Sequence, residues 1–335
     1  MLCPYCLSDV ESFSELRDGA GVHETVRYHC PVCNERTPKL YVVDYDKYPN
    51  VIVDAVGFTS HGKSVFIGSL FYEMRNTQRT SRWKGFYSMA LDGGDMRTID
   101  DIVGKLKSGE LPEPTRQVFP RPTILRVENL PGKPNNISCN LILYDVSGEA
   151  FEDAESLVAH AAFVKRSKTV MFLVSLPDLR LDEPDVAEGM TRLLNTYVLG
   201  MADLGGNTKD QDLVVVFTKA DELQEELEES FGDVLNYVRT QKYDRGAPFT
   251  KNLQRVSQRL REFTREQLRA PEFINFADER FRTVGYSIVS ATGFEKGRMN
   301  EDSSSPAKLE MQIQPRCVMD ALAWIIIRTV FPRAF

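Results

Sequence analysis

Two registers of apolar positions share this chain: short, nearly solid apolar runs, and longer stretches in which apolar residues recur every three or four positions. The runs at 51–56, 124–130, 137–144, 169–175, 213–218 and 284–289 predict strands, and the stretches at 63–75, 151–166, 186–204, 251–269 and 316–330 predict helices. Their alternation reads as an α/β fold with a mostly parallel sheet flanked by helices. Glu222–Val238 is acidic and roughly amphipathic, which predicts a solvated helical insertion. The polar run Glu295–Gln314, with three serines and a proline, predicts a loop before the last helix. That last helix carries the most apolar segment, Ala321–Ile327. Bracketed by Asp320 and Arg328, it is far shorter than the roughly 20 residues of a membrane span and reads as a core helix. No internal repeat stands out.

With 335 residues, 42% hydrophobic and 27% charged, the chain has room for one large domain and a small one. A net charge of -7 argues against a generic nucleic-acid or anionic-membrane surface. The start, Met1-Leu2-Cys3-Pro4-Tyr5-Cys6, has no basic region followed by an apolar stretch, so a cytoplasmic location is expected.

Four of the six cysteines lie in two pairs, Cys3-Pro4-Tyr5-Cys6 and Cys30-Pro31-Val32-Cys33. In a reducing compartment such pairs favour tetrahedral Zn2+, because each C-x2-C turn places two thiolates on one side of an ion and the distant pair completes it. Residues 1–48 therefore read as a zinc ribbon, against the alternative of two redox or unpaired Cys-x-x-Cys turns. His23 and His29 are spare donors that four thiolates make unnecessary. Cys139 and Cys317 sit in apolar surroundings and read as core. Acidic residues outnumber basic ones through residue 48, so the ribbon suits a structural or protein-docking role better than phosphate-backbone binding.

Directly after the run Val51–Val56 comes Gly57-Phe58-Thr59-Ser60-His61-Gly62-Lys63-Ser64-Val65. A glycine, four residues, then Gly-Lys-Ser between a strand and a helix is a phosphate cradle, in which backbone N–H groups and the helix N-terminus surround phosphate oxygens. Lys63 would reach the β- and γ-phosphates and the Ser64 hydroxyl would ligate Mg2+. The motif specifies a nucleoside triphosphate without specifying its base.

At the end of the run 213–218 stand Thr218-Lys219-Ala220-Asp221, which resemble the guanine motif of Ras-like, TRAFAC-class P-loop GTPases. A carboxylate at Asp221 can accept from guanine N1–H and N2–H2 together, whereas adenine presents no such donor pair; the Lys219 stem would lie along the base. Asp145 and Gly148, in Asp145-Val146-Ser147-Gly148, match the family's DxxG pattern. The resemblance implies Asp145 holding Mg2+ through water and the Gly148 N–H touching the γ-phosphate. Ser290-Ala291 match the segment whose backbone contacts guanine O6. Four motifs follow one another in the family's order, each at the C-terminal end of a predicted strand.

The resemblance covers most of 49–335, which implies a G domain there, with an insertion at about 78–111 in the long interval from Ser64 to Asp145. The switch threonine that closes on Mg2+ is Thr123, directly before the strand 124–130, or Thr115 in the loop-like Pro112-Glu113-Pro114-Thr115. Thr59 stands where Ras proteins have glycine and would crowd an arginine finger. Glu149 stands where they have glutamine; a carboxylate can only accept from the attacking water, which implies slow intrinsic hydrolysis. A zinc ribbon joined to such a G domain is similar to the bacterial double-GTPase families of conflict systems. The expectation is a GTP/GDP-dependent switch or assembly factor acting on protein partners, including a second GTPase. The alternatives are a non-hydrolysing GTP-bound scaffold and an RNA- or ribosome-associated GTPase, which would need a basic face.

Overall fold

The computed structural model describes residues 1–18, 25–57, 61–108, 110, 119–132, 135–179, 186–222, 224–240, 247–293 and 313–332. At the N-terminus β1 (Ser14–Asp18), β2 (Thr25–His29) and β3 (Arg36–Thr37) form a small antiparallel sheet in that order, followed by the short helix α1 (Lys39–Val43).

The solid apolar runs become strands because a strand covered on both faces needs no polar alternation. They are β4 (Asn50–Val56), β6 (Thr123–Leu130), β7 (Ile137–Leu143), β8 (Thr169–Ser175), β9 (Asp212–Thr218) and β10 (Thr283–Ile288), each within a residue of its predicted bounds. The helices between them are α2 (Lys63–Arg79), α4 (Ala154–His160), α5 (Val186–Asp203), α6 (Gln224–Thr240), α7 (Ala247–Glu266) and α9 (Val318–Val330).

Three elements go beyond the sequence reading. The 78–111 segment, read only as an insertion, contains β5 (Tyr87–Ala90) and α3 (Gly93–Lys107), and α8 (Pro271–Arg280) follows α7. Two further expectations are corrected. The single helix expected at 151–166 is a 3-10 turn at Gly148–Phe151, then α4, then a second 3-10 turn at Ala162–Arg166. It divides there because Asp153 caps α4, accepting from Ser156 N at 2.7 Å, and Ala161 leaves the helical region at φ -127. The helix over Glu222–Val238 is not simply solvated: α6 kinks at Phe231, and Phe231, Val234, Leu235 and Val238 are buried. The loop expected at Glu295–Gln314 lies, through residue 312, outside the described residues.

The seven strands run in the order β10-β9-β8-β4-β7-β6-β5, parallel except that β6 is antiparallel to both β7 and β5. Neighbouring residues of a strand face opposite sides. Thr169 meets Thr329 of α9 on one face, while Phe172 stacks with Phe273 of α8 on the other. Asp54, opposite Val170 and so on the α8 face, accepts from Tyr197 of α5. α2 packs with α9, which is buried along most of its length as its composition predicts. β4 lies between β7 and β8, and the chain leaves it to one side for β6 and β7 and to the other for β8. That switch of direction opens a crevice at the C-terminal edge of the strands.

Candidate functional site

The residues predicted to carry chemistry reach that edge from five strands. Gly57 closes β4 beneath β8: a Cβ there would stand 2.9 Å from the Leu173 carbonyl oxygen, so the turn admits only glycine. Gly62 has φ 82, a left-handed conformation that aims the chain into α2. Lys63, the first residue of α2, is buried, and its Nζ donates to the Gly57 carbonyl at 2.7 Å. Burial draws this amine down to about 8, with nearby Asp145 pulling the other way. His61 joins the loop to two strands: its Nδ1 lies 2.9 Å from the Leu173 carbonyl oxygen, and its own carbonyl accepts from Thr218 Oγ1 at 3.1 Å. Burial holds the His61 imidazole below its usual range, the Leu173 hydrogen bond opposing. Val65 occupies the first turn of α2. Phe58, Thr59 and Ser60 lie outside the described residues, as does Thr115.

Ser64 Oγ donates to Asp145 Oδ1 at 3.3 Å, bringing together a hydroxyl from α2 and a half-buried carboxylate from the end of β7. Thr123 begins β6 directly opposite Leu143, two residues before Asp145, and so stands at the same edge. Hydroxyl and carboxylate oxygens so placed suit Mg2+, which takes few protein ligands and keeps several waters. Gly148 is buried in the 3-10 turn that follows, and Glu149 beside it is exposed. The Glu149 N–H donates to Ser147 Oγ at 3.4 Å.

On the other side of β4 the base-motif residues assemble. Thr218 ends β9, and Lys219 adopts a left-handed φ of 56, a conformation disfavoured for a side-chain-bearing residue. Its Nζ lies 3.9 Å from the exposed Asp178, a long pair of little energetic weight. Asp221 Oδ1 accepts from Ser290 Oγ at 2.6 Å, and Ser290 Oγ accepts in turn from Gly293 N at 2.9 Å. The Ala291 carbonyl accepts from Ser69 Oγ of α2 at 2.7 Å. Two contributions were missed at the sequence level: the Ser290 side chain as the group orienting Asp221, and His61 as the tie between cradle and base motif. Only a hydroxyl three residues before a glycine hinted at the first, and nothing hinted at the second.

The cysteines form the second centre. Cys3 and Cys33 Sγ are 3.8 Å apart, as are Cys6 and Cys30, and all four sulfurs lie within 4.8 Å of one another. A zinc tetrahedron with bonds of ~2.3 Å has edges of roughly 3.8 Å, so the set fits Zn2+. The two turns are built alike. Leu7 N donates to the Cys3 carbonyl and Asn34 N to the Cys30 carbonyl, both at 2.9 Å, and each donor has a left-handed φ, 62 and 60. His29 is held elsewhere, its Nδ1 3.0 Å from the Asn34 carbonyl; His23 lies outside the described residues. Cys139 and Cys317 are buried, as expected of core thiols.

Sheet order, phosphate cradle and base motif together define the class, a P-loop GTPase of Ras-like arrangement preceded by a four-cysteine zinc ribbon. More particularly, the chain belongs to the Double-GTPase 2 family, which matches residues 51–279. Similar solved structures include the GTPase-like domain of S. cerevisiae Ski7 bound to GDP and inorganic phosphate, at 15% identity and a TM-score of 0.34 over 86% of this chain and 52% of that one. Sup35 complexed with GDP is similar at 15% identity and a TM-score of 0.31, over 78% of this chain and 44% of that one. The chain thus spans about half the length of these structures. No curated protein matches it. Among the described residues, no helix is long and apolar enough to cross a membrane.

Proposed function

We propose that residues 49–335 bind GTP and GDP with Mg2+ and hydrolyse GTP, that residues 1–48 are a zinc ribbon joined to them, and that the whole is a nucleotide-dependent switch or assembly factor for protein partners in the cytoplasm. The observation that carries this reading is the hydrogen-bonded unit Asp221–Ser290–Gly293, which presents an oriented carboxylate on the same sheet edge as the cradle. Such a carboxylate accepts two donors from guanine and rejects adenine. Toward the phosphates, the cradle's N–H groups and the Lys63 ammonium supply positive potential, and Ser64 and Asp145, with Thr123, are the oxygens that would hold Mg2+. That ion, when bound, would neutralise charge developing on the β- and γ-phosphates.

Competition titration tests the base. Guanine nucleotides are expected to bind at least ~10^3-fold more tightly than adenine nucleotides, because a site built to pair donors rejects a base that lacks them. Asp221→Asn is expected to weaken GTP and admit xanthine nucleotides, whose N2 position carries an acceptor. Equal affinity for ATP, or no gain for xanthine, counts against the assignment.

Glu149 is exposed, and the alternative of a non-hydrolysing scaffold is tested there. Single-turnover hydrolysis by wild type, Glu149→Gln and Glu149→Ala separates the readings. A switch is expected to turn over below about 10^-1 s-1 alone, with Glu149→Gln faster, and a partner group adding ~10^3 or more. Bound GTP that stays intact with and without partners marks a scaffold.

A further inference from the structure

Zinc ribbon and nucleotide site meet through the first cysteine turn. Tyr144, which joins β7 to Asp145, is buried, and its hydroxyl donates to the Pro4 carbonyl at 2.5 Å, inside the Cys3–Cys6 turn. Its ring stacks on Phe163 with centroids 4.3 Å apart and planes 11° from parallel, so the side chain is held between Phe163 and the Cys3–Cys6 turn. Just ahead of the adjacent strand, Arg121, two residues before Thr123, holds its guanidinium 5.3 Å from the centroid of the Tyr5 ring. Arg166, at the end of the second 3-10 turn, donates to the Leu7 carbonyl at 2.9 Å and pairs with Asp9 at 2.9 Å. Pro4, Tyr5 and Leu7 are thus all engaged by the G domain, and two of the three partners adjoin residues of the magnesium side of the site.

The geometry makes this contact mechanical. Tyr144 and Asp145 share a planar peptide unit just beyond the end of β7. Across that unit Tyr144 reaches the ribbon and Asp145 meets Ser64. The Pro4 carbonyl lies between two thiols of the zinc set, so its position is fixed when the metal ties Cys3 and Cys6 to Cys30 and Cys33. Tyr41 and Tyr45 hold the flank of that turn at Leu2, through hydrogen bonds of 2.8 and 2.7 Å, and the metal adds the tie from the turn itself to Cys30 and Cys33.

We infer that the Cys3–Cys6 turn is an arm of the nucleotide site. Through Tyr144 and Arg121 it sets Asp145 and Thr123, so that zinc and a magnesium-bound nucleoside triphosphate stabilise each other's binding. Tyr144 is a positioning residue in this scheme, touching neither nucleotide nor metal. Coupling of this kind is reciprocal: whatever factor zinc adds to triphosphate affinity, the triphosphate adds to zinc affinity. A diphosphate lacks the γ-phosphate whose charge an ion held by Ser64, Asp145 and Thr123 would neutralise, so it gains less. The inference rests on the guanine-nucleotide reading above, and its test tells the two apart.

Zinc release from the full chain is followed with a chromogenic chelator in the apo state, with Mg-GDP and with a non-hydrolysable GTP analogue plus Mg2+, while a fluorescent guanine nucleotide reports occupancy in the same samples. The analogue is expected to slow release about fivefold or more relative to GDP, the lower end of typical allosteric coupling. Tyr144→Phe keeps the ring stack and removes only the hydroxyl bond, and is expected to bring that ratio to within about twofold of unity. Arg121→Gln, which loses the contact with Tyr5, is expected to reduce it in the same direction. Nucleotide bound with equal zinc release in GDP and analogue overturns the coupling and leaves the nucleotide assignment standing. Wild-type coupling that persists undiminished in both variants overturns the role given to the Cys3–Cys6 contacts. Failure of any guanine nucleotide to bind defeats the underlying reading, and the coupling with it.

Discussion

Lys63 is the residue whose protonation the site controls most directly. Burial lowers its amine from the ordinary 10.5 to about 8 in the nucleotide-free protein, and phosphate oxygens would raise it again by favouring the ammonium. Because binding then restores a proton, guanine-nucleotide affinity is expected to fall as pH rises above about 8. Near that pH binding takes up a fraction of a proton. Calorimetry in two buffers of different ionisation enthalpy measures the uptake directly. An affinity flat from about pH 7 to 9.5 with no uptake would mean that the amine is already fully charged in the free protein. The place of Lys63 at the start of α2 was legible in the sequence because Gly-Lys-Ser after an apolar run marks where a strand turns into a helix. Ser290 was legible only as backbone. That its hydroxyl holds Asp221 depends on how the loops after β9 and β10 lie side by side, and no local pattern encodes this.

At the scale of elements, periodicity located every long, fully covered strand and failed where burial is partial. β5 is four residues long, none of them fully buried, so Tyr87-Ser88-Met89-Ala90 gives neither a solid run nor a clean alternation. α3 opens with two glycines, which obscure its start, although Ile99, Val103 and Leu106 repeat at helical spacing. The start is set instead by Asp92, whose Oδ1 accepts from Gly94 N at 2.6 Å and Asp95 N at 2.8 Å. Asp92→Ala is expected to cost ~1 kcal/mol of stability, the usual worth of such a cap, and Asp92→Asn much less. Denaturant melts of the two variants check this; equal losses would mean that charge rather than capping geometry matters. α3 also explains Gly68. A Cβ on that residue of α2 would stand 2.5 Å from Leu106 Cδ1 and 2.7 Å from Ile102 Cγ2, so the two helices cross where one has no side chain. The insertion therefore widens the sheet and braces α2, the helix that carries Lys63 and Ser64.

Across the whole molecule two carboxyls are buried far from water, and both bear on stability in the same sense. Asp54, in the middle of β4, is pushed up to about 7 by burial, the Tyr197 hydroxyl opposing. Asp320, near the start of α9, is likewise pushed up to about 7, opposed by the Tyr237 hydroxyl, which donates at 2.7 Å, and by Cys317. Oδ1 of Asp54 has no hydrogen-bond partner among the described residues, which suits a protonated, neutral acid better than a carboxylate. In the unfolded chain both would titrate near 3.8. Between about 4 and 7 the folded state therefore holds more protons than the unfolded one. Stability is fully present below that window, falls as pH rises through it, and levels off above about 7. Asp54→Asn and Asp320→Asn replace each acid with a neutral group of the same shape that can still accept from its tyrosine. At about pH 5 each variant is expected to lie within ~1 kcal/mol of wild type, since the wild-type acid is already neutral. At about pH 8 each is expected to be more stable by roughly 1–4 kcal/mol, because the cost of an ionised buried acid is gone. Denaturant melts at intervals from about pH 5 to 8 measure the difference. Variant and wild-type curves that run parallel across the range would show that both acids keep ordinary pKa values despite burial.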